Sequence, residues 1–234
     1  MFEINCHFLD TNVILSMILP NDNLHENTIQ YFKKKYKRYL SDTVINESKR
    51  VIFKLKRIAL KIISYVKLNI LENSIDLLNV DTFLFRIKQN FIAQYPNSDF
   101  PEGIKMKKFI SIVNQFFIEY NDDFQYSIIS NDINNLEELY ENIKNDYKII
   151  LKNLMKLFKK FICISFINKR KFTNALINIG IHRADAFILE EFFQLSESLH
   201  ELIMFITFDK DILNLSNEIN DIFPSSVLIG TLND

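Results

Sequence analysis

Residues 4–20 read INCHFLDTNVILSMILP, and this stretch decides the fold. Its first six residues are mostly apolar and predict a β-strand. Asp10, Thr11 and Asn12 follow at once, and such polar residues are typical of a strand end or of a helix cap. The apolar run that starts at Val13 predicts a helix, which Pro20 closes. A strand that passes directly into a helix is the first unit of an α/β pattern.

The alternation of strand and helix continues at both ends of the chain. The predicted elements are, in order, a helix at residues 25–37, a short strand at 39–40, a helix capped at 41–43, a helix at 183–199, and strands at 202–208 and 225–229. Strands that alternate with helices usually pair in parallel. We therefore predict an α/β fold with a parallel sheet.

The middle of the chain has a different pattern. From residue 51 to residue 178 the apolar residues recur at steps of three and four, which predicts helices almost throughout. The clearest breaks lie at residues 95–103 and 127–135. We predict that residues 1–60 and 180–234 form the domain that contains the sheet. Residues 61–179 are then a helical insertion, which could pack on the same domain.

The composition bounds the class of protein. A chain of 234 residues can bury a large core, either as one domain or as a compact domain with an insertion. Hydrophobic residues make up 48% and charged residues 24%, which is ordinary for a globular protein and excludes disordered and fibrous classes. The net charge of −1 excludes a uniformly basic nucleic-acid binder.

Several features of the sequence indicate the cellular compartment. Cys6 and Cys163 are isolated and have no CxxC spacing, so neither a disulfide framework nor a structural zinc site is expected. The N-terminal residues lack the pattern of a secretory signal, and no apolar run is long enough to span a bilayer. We expect a cytoplasmic protein without a membrane partner.

Missing motifs exclude several classes of site. Neither a GxxxxGK[ST] loop nor a GxGxxG turn occurs, which argues against the common nucleotide-binding modules. No GxSxG elbow supports a Ser-His-Asp triad. No Arg lies four to six residues before a His, so the RxxxxH site of helical ribonucleases is absent.

Acidic residues follow the predicted strands. Asp10 comes directly after the first strand, and Asp209 comes directly after the strand at 202–208. Glu47 and Asp185 lie in the first turns of predicted helices, which start at the same edge of a parallel sheet. Carboxylates gathered in one place repel one another unless a cation neutralises them, and oxygen ligands favour Mg²⁺ or Mn²⁺. Such a site suits the hydrolysis of phosphodiesters.

Four short blocks carry these acids: HFLDTNV at residues 7–13, SDTVINE at 41–47, RADA at 183–186 and ITFDKDI at 206–212. In this order they closely resemble the four acidic blocks of PIN-domain nucleases. The resemblance covers roughly residues 1–60 and 180–234. It implies a three-layer α/β/α fold with a central parallel sheet. The separation of Glu47 from Asp185 exceeds that in compact members, so the large helical insertion has no counterpart in the resemblance.

The resemblance also implies residue roles. The residues that match the family's catalytic, metal-binding acids are Asp10, Glu47, Asp185 and Asp209, with Asp211 as an additional candidate. The residues that match its supporting polar side chains are Thr11, Asn12 and Thr207. The implied activity is that of an endoribonuclease that uses Mg²⁺ or Mn²⁺ and leaves 5′-phosphate and 3′-hydroxyl ends.

The resemblance leaves the partners open. RNA is the implied substrate. Some family members are toxins that pair with an antitoxin, and others process RNA as separate enzymes. An antitoxin, another protein partner and a second copy of the chain in a homodimer are all compatible with the sequence.

Positive charge is concentrated locally. One basic run comprises Lys33, Lys34, Lys35, Lys37 and Arg38. Such a run is more often a solvated face than a binding site. Near a nuclease centre, however, positive groups are needed to hold the nucleic-acid backbone. The run and Arg183 are therefore candidate nucleic-acid contacts.

Two other functions remain open, namely a structure-specific DNA nuclease of similar fold and a catalytically silent RNA-binding scaffold. Each acid also has a structural explanation. Asp10 could cap a helix, and Glu47 could be a solvated helix acid. Asp185 could favour the helix dipole, and Asp209 could be a turn residue. His182 fits a capping or surface role better than a phosphate contact.

Overall fold

The structure is a computed structural model of the chain. It describes residues 4–20, 22–72, 121–165, 171–199, 202–224 and 227–232, together with single positions between 82 and 93. The connection expected at residues 95–103 lies outside the described residues.

The centre of the fold is a five-stranded, all-parallel sheet. Its strands are β1 (Cys6–Leu9), β2 (Lys37–Ser41), β3 (Ile162–Ile164), β4 (Ile203–Ile206) and β5 (Leu228–Gly230). They lie in the order β3-β2-β1-β4-β5. The chain therefore builds the sheet outward from β1 on one side and then returns to build the other side from β4. The order reverses between β1 and β4, and in open parallel sheets a crevice forms at that point, beyond the carboxyl ends of the strands.

The described residues also form helices, which follow and precede the strands along the chain. They are α1 (Thr11–Ile18), α2 (His25–Lys33), α3 (Asp42–Glu72), α4 (Asn121–Ser130), α5 (Ile133–Phe158), α6 (Thr173–Asn178), α7 (Arg183–Ser198), α8 (Lys210–Asn214) and α9 (Ser216–Ile222). Sheet and helices together form the three-layer α/β/α fold that the sequence predicts, with a large helical insertion. Among the described residues, no helix has the length and apolar character needed to cross a membrane.

The described part of the chain divides into two compact units. The first comprises residues 1–18, 22–50 and 153–234 and contains the sheet. The second comprises residues 19–21 and 51–152, and its described residues are mainly helical. The boundaries differ from those expected at residues 60 and 180 because α3 and α5 each run through a boundary as continuous helices.

A cluster of aromatic rings fixes α7 on the sheet in the first unit. Phe8 of β1 and Phe205 of β4 stack with ring centroids 5.8 Å apart. Phe192 of α7 packs on both, at 5.7 Å and 5.3 Å. All three side chains are fully buried, and burial of each contributes roughly 2–3 kcal/mol. This packing sets the position of the start of α7 at the carboxyl edge of the sheet.

The second unit contains most of the long helices α3 and α5. Lys56 lies 4.1 Å from the ring centroid of Tyr147, and Lys67 forms an ion pair with Glu137. A groove of about 310 Å³ is lined by Ile63, Ser64, Lys67, Leu136, Glu137, Tyr140 and Glu141.

Three predicted elements need correction. The helical pattern expected as far as residue 178 is interrupted by β3, a three-residue strand that pairs with β2. A strand of this length is too short to change the periodicity of the surrounding helical sequence. Helix α2 ends at Lys33, because Lys34 has extended backbone angles and the chain then enters β2. The connection between α4 and α5 is limited to residues 131 and 132, where Asp132 caps α5 by accepting from Asn134 N and Asn135 N.

Candidate active site

Asp10 lies at the centre of the carboxyl edge of the sheet. Its backbone N–H donates to the Ile206 carbonyl at 3.0 Å, which continues the pairing of β1 with β4. Its carboxylate is buried and accepts two hydrogen bonds, from Thr11 N to Oδ1 and from Thr207 Oγ1 to Oδ2, both at 2.6 Å. The two carboxylate oxygens are therefore held in fixed directions at the point where the strand order reverses.

Thr207 connects the loops that follow β1 and β4. Its buried hydroxyl oxygen accepts from Asn12 Nδ2 at 3.2 Å and from Asp209 N at 3.0 Å. Both of these partners are donors, so the single hydroxyl proton is directed to Asp10. Asn12 Oδ1 in turn accepts from Phe208 N at 3.1 Å. The supporting polar residues expected from the sequence thus form one hydrogen-bonded network around Asp10.

Glu47 enters the site from the first turns of α3. This helix starts directly after β2, where Ser41 Oγ accepts from Val44 N at 3.3 Å. Thr11 Oγ1 donates to Glu47 Oε2 at 2.9 Å, which links Glu47 to the residue that follows Asp10. The Glu47 side chain is only 16% exposed, so it is not a solvated surface acid.

Asp185 and Asp209 enter from two other helix starts. His182 is the N-cap residue of α7, since its Nδ1 accepts from Ala184 N at 3.5 Å, as expected for a capping role. Asp185 lies in the first turn of that helix, and its side chain is 24% exposed. Asp209 is the N-cap residue of α8 and accepts from Asp211 N at 2.8 Å. One oxygen of Asp209 thus has a structural role. Asp211 is exposed.

The acids interact electrostatically. Burial raises the pKa of Asp10 to about 7; the Thr207 hydrogen bond opposes this rise, and the charges of Asp185 and Glu47 add to it. Burial also raises the pKa of Asp185 to about 6, with further contributions from Glu47 and Asp209. Burial is the larger cause of both shifts, and the neighbouring carboxylates add to it because like charges disfavour ionisation of one another. The structure therefore brings the four predicted acids into one electrostatic neighbourhood.

The donor chemistry of this neighbourhood fits a hard divalent cation, because all four side chains offer carboxylate oxygens and their mutual repulsion is what such a cation relieves. Within the described residues, however, no three Asp, Glu, His or Cys side chains are grouped closely enough to form a preassembled metal site.

The predicted basic run lies at the opposite edge of the sheet. Lys33 ends α2 and Lys37 begins β2, so the run extends into the amino end of the strand whose carboxyl end leads to Glu47. The four residue steps from Lys37 to Ser41 correspond to about 13 Å. Lys33, Lys34, Lys35 and Lys37 are exposed there, and the structure does not bring them to the acids.

Arg38 is a structural residue of this edge. Its guanidinium lies 4.9 Å from the ring centroid of Tyr31 and 5.0 Å from that of Phe32. It also donates to the carbonyls of Tyr31 at 3.0 Å and Lys34 at 2.6 Å. These carbonyls close the end of α2, where a cation is favoured by the helix dipole. Arg38 thus stabilises the turn that leads into β2.

Two arginines border the acids. Arg183, a predicted nucleic-acid contact, is exposed at the start of α7, two residues before Asp185, and its guanidinium lies 5.6 Å from the ring centroid of Phe187. Arg50 was not among the predicted site residues, yet its Nη2 lies 3.4 Å from Glu47 Oε1. Its spacing of three residues from Glu47 on a helix is a signal that could have identified it.

Glu190 is a buried carboxylate of α7 with a different role. It accepts from Thr173 N at 2.9 Å, from Lys171 N and from Thr173 Oγ1. It lies five residues after Asp185, about 140° around the helix. Glu190 therefore anchors the start of α6 and is not part of the site.

Comparison with known proteins adds no relative. No family model matches the chain, and none of the curated proteins or solved structures with which it was compared matches it. The resemblance to PIN-domain nucleases rests on the four sequence blocks alone.

Proposed function

We propose that this chain is a metal-dependent nuclease of the PIN type that hydrolyses phosphodiester bonds in RNA. The observation that carries the proposal is the buried carboxylate of Asp10 at the point where the strand order reverses between β1 and β4, close to the charges of Asp185 and Glu47. A buried acid among other acids lowers stability, and such arrangements are typical of sites that bind a cation or perform catalysis.

The residues that would hold Mg²⁺ or Mn²⁺ are Asp10, Glu47, Asp185 and Asp209. When bound, such a cation lowers the pKa of an attacking water and offsets negative charge on the phosphate oxygens. Thr207 and Thr11 orient the acids through their hydroxyl groups, at 2.6 Å from Asp10 and 2.9 Å from Glu47. Each hydroxyl group restricts the directions that the carboxylate it contacts can take.

The choice of RNA over DNA comes from the family resemblance. Exposed basic residues beside the acids, Arg183 and Lys210, are suited to the phosphates on either side of the scissile bond. Such phosphate contacts do not distinguish ribose from deoxyribose, so the test below includes both RNA and DNA.

The test is incubation of the purified chain with labelled RNA and DNA panels in Mn²⁺, in Mg²⁺ and in EDTA. We expect cleavage of RNA in either metal and none in EDTA. Asp10→Asn should reduce the rate by more than about a hundredfold, because it removes a ligand charge at the centre of the site. The matched control is Asp221→Asn, an exposed aspartate in α9, which leads to the start of β5 at the opposite edge.

Each other outcome contradicts part of the proposal. Cleavage in EDTA, or full activity of Asp10→Asn, would refute the metal-dependent mechanism. Cleavage of DNA but not of RNA would identify a DNA nuclease. Binding of RNA without cleavage in either metal would identify a silent scaffold.

A further inference from the structure

Arg50 pairs with one of the proposed metal-binding acids. It lies one helical turn after Glu47 on α3, with Nη2 at 3.4 Å from Oε1. The other carboxylate oxygen, Oε2, accepts from Thr11 Oγ1 at 2.9 Å. Both oxygens of Glu47 therefore have donors in this structure, one from a neutral hydroxyl and one from a cation.

The two partners of this ion pair differ in exposure. The Arg50 side chain is 73% exposed, whereas the Glu47 side chain is 16% exposed. An exposed pair at this spacing on a helix contributes little to stability, and its geometry is long for a charge-assisted hydrogen bond. Arg50 can therefore leave Glu47 at little cost, while Glu47 remains held by Thr11.

We propose that Arg50 is the resident counter-ion of Glu47 in the free protein, and that it contacts a substrate phosphate when a divalent cation takes its place. This inference rests on the proposed function. A guanidinium can form two parallel hydrogen bonds to a phosphate, so the freed side chain suits this ligand. It differs from Arg183, whose guanidinium lies over the ring of Phe187.

Removal of Arg50 has two effects that removal of a purely structural arginine would not have. Removal of Arg50 eliminates a positive charge that competes with the cation for Glu47, so the affinity for the cation rises. The same change removes a phosphate contact, so the affinity for RNA falls. The two affinities move in opposite directions.

The experiment measures both affinities in the full chain. Mn²⁺ binding is measured by titration calorimetry without RNA. RNA binding is measured by fluorescence anisotropy with labelled single-stranded RNA in Ca²⁺, which also prefers oxygen ligands. The variants are Arg50→Gln and Arg50→Lys, and the control for net charge is Lys35→Gln, an exposed residue between α2 and β2.

We expect Arg50→Gln to bind Mn²⁺ about three- to tenfold more tightly. This factor corresponds to the repulsion between one positive charge and a nearby divalent cation in a water-like dielectric. The affinity of this variant for RNA should fall by a similar factor, and the slope of log affinity against log salt should decrease by about 0.7, as for one lost phosphate contact. Arg50→Lys should lie between wild type and Arg50→Gln in both measurements. Lys35→Gln should leave Mn²⁺ affinity unchanged.

The outcomes separate the inference from the proposed function. If wild type binds neither Mn²⁺ nor RNA, the proposed function fails. If wild type binds both, and Arg50→Gln changes the two affinities in the same direction or changes neither, the role of Arg50 is refuted. An increase in Mn²⁺ affinity in Lys35→Gln equal to that in Arg50→Gln would assign the effect to net charge alone and would overturn the inference.

Discussion

Replacement of Thr207 by Val tests the network that orients Asp10. Valine has nearly the shape of threonine but no hydroxyl, so the fully buried side chain is replaced without a large change in volume. The change removes the donor to Asp10 Oδ2 at 2.6 Å and the acceptor for Asn12 Nδ2 at 3.2 Å and Asp209 N at 3.0 Å.

The expected loss of stability comes mainly from Asp10. A hydrogen bond to a buried charged group contributes about 1.5–3 kcal/mol. Asn12 and Asp209 are only partly buried, so water can replace the acceptor they lose. We expect the free energy of unfolding to fall by about 2–3 kcal/mol, which for a chain of this size lowers the melting temperature by about 4–12 °C.

The assay is urea and thermal unfolding followed by circular dichroism in EDTA, with Thr207→Ser as the matched variant. Serine keeps the hydroxyl and loses one methyl group, which costs about 1 kcal/mol. Thr207→Ser should therefore be more stable than Thr207→Val, although valine preserves the volume better. If Thr207→Val is as stable as Thr207→Ser, the hydroxyl does not contribute as argued.

Two further predictions concern the opposite edge of the sheet. Burial lowers the pKa of His7 from 6.5 to about 4. The unfolded chain therefore takes up a proton at a higher pH than the native chain, so the free energy of unfolding should fall by up to roughly 3 kcal/mol between pH 6.5 and pH 4. Urea unfolding at several pH values in this range measures the change. In His7→Gln the free energy of unfolding should depend less on pH, and an unchanged pH dependence would show that His7 is not its cause. Replacement of Lys33, Lys34 and Lys35 by Glu should weaken binding of long RNA in a salt-dependent way but leave cleavage of RNA of about four nucleotides unchanged. Equal losses for short and long RNA in a cleavage assay would show that these lysines reach the acids.

The elements that could be predicted are those with a strong local signal. β1 and β4 are apolar runs followed by polar residues, and α5 and α7 have long helical periodicity, so their type follows from the chain itself. β3 could not be predicted, because three residues carry no periodicity and its hydrogen bonds come from β2. The domain boundaries could not be predicted either, since α3 and α5 continue through them without a change in helical periodicity.

The position of the acids relative to the sheet could be predicted, but their partners could not. That Asp10 and Asp209 follow strands is a local fact. The bonds from Thr207 to Asp10 and from Thr11 to Glu47 depend on which strands are neighbours and in which register. The location of the basic run could have been predicted, because the run lies at the amino end of β2 and the acids lie at the carboxyl ends of the strands.

The register between β1 and β4 explains why residues so distant in sequence can form one site. Leu9 pairs with Ile206, so the next residues, Asp10 and Thr207, leave adjacent parallel strands at the same height. The 197 positions that separate them along the chain do not affect this geometry, and neither does the helical unit inserted between. What the site requires is a polar residue directly after each of two strands and a strand order that reverses between them. These few positions can be retained while the rest of the sequence changes. Four short blocks can therefore carry the prediction of such a site in a chain that no family model matches.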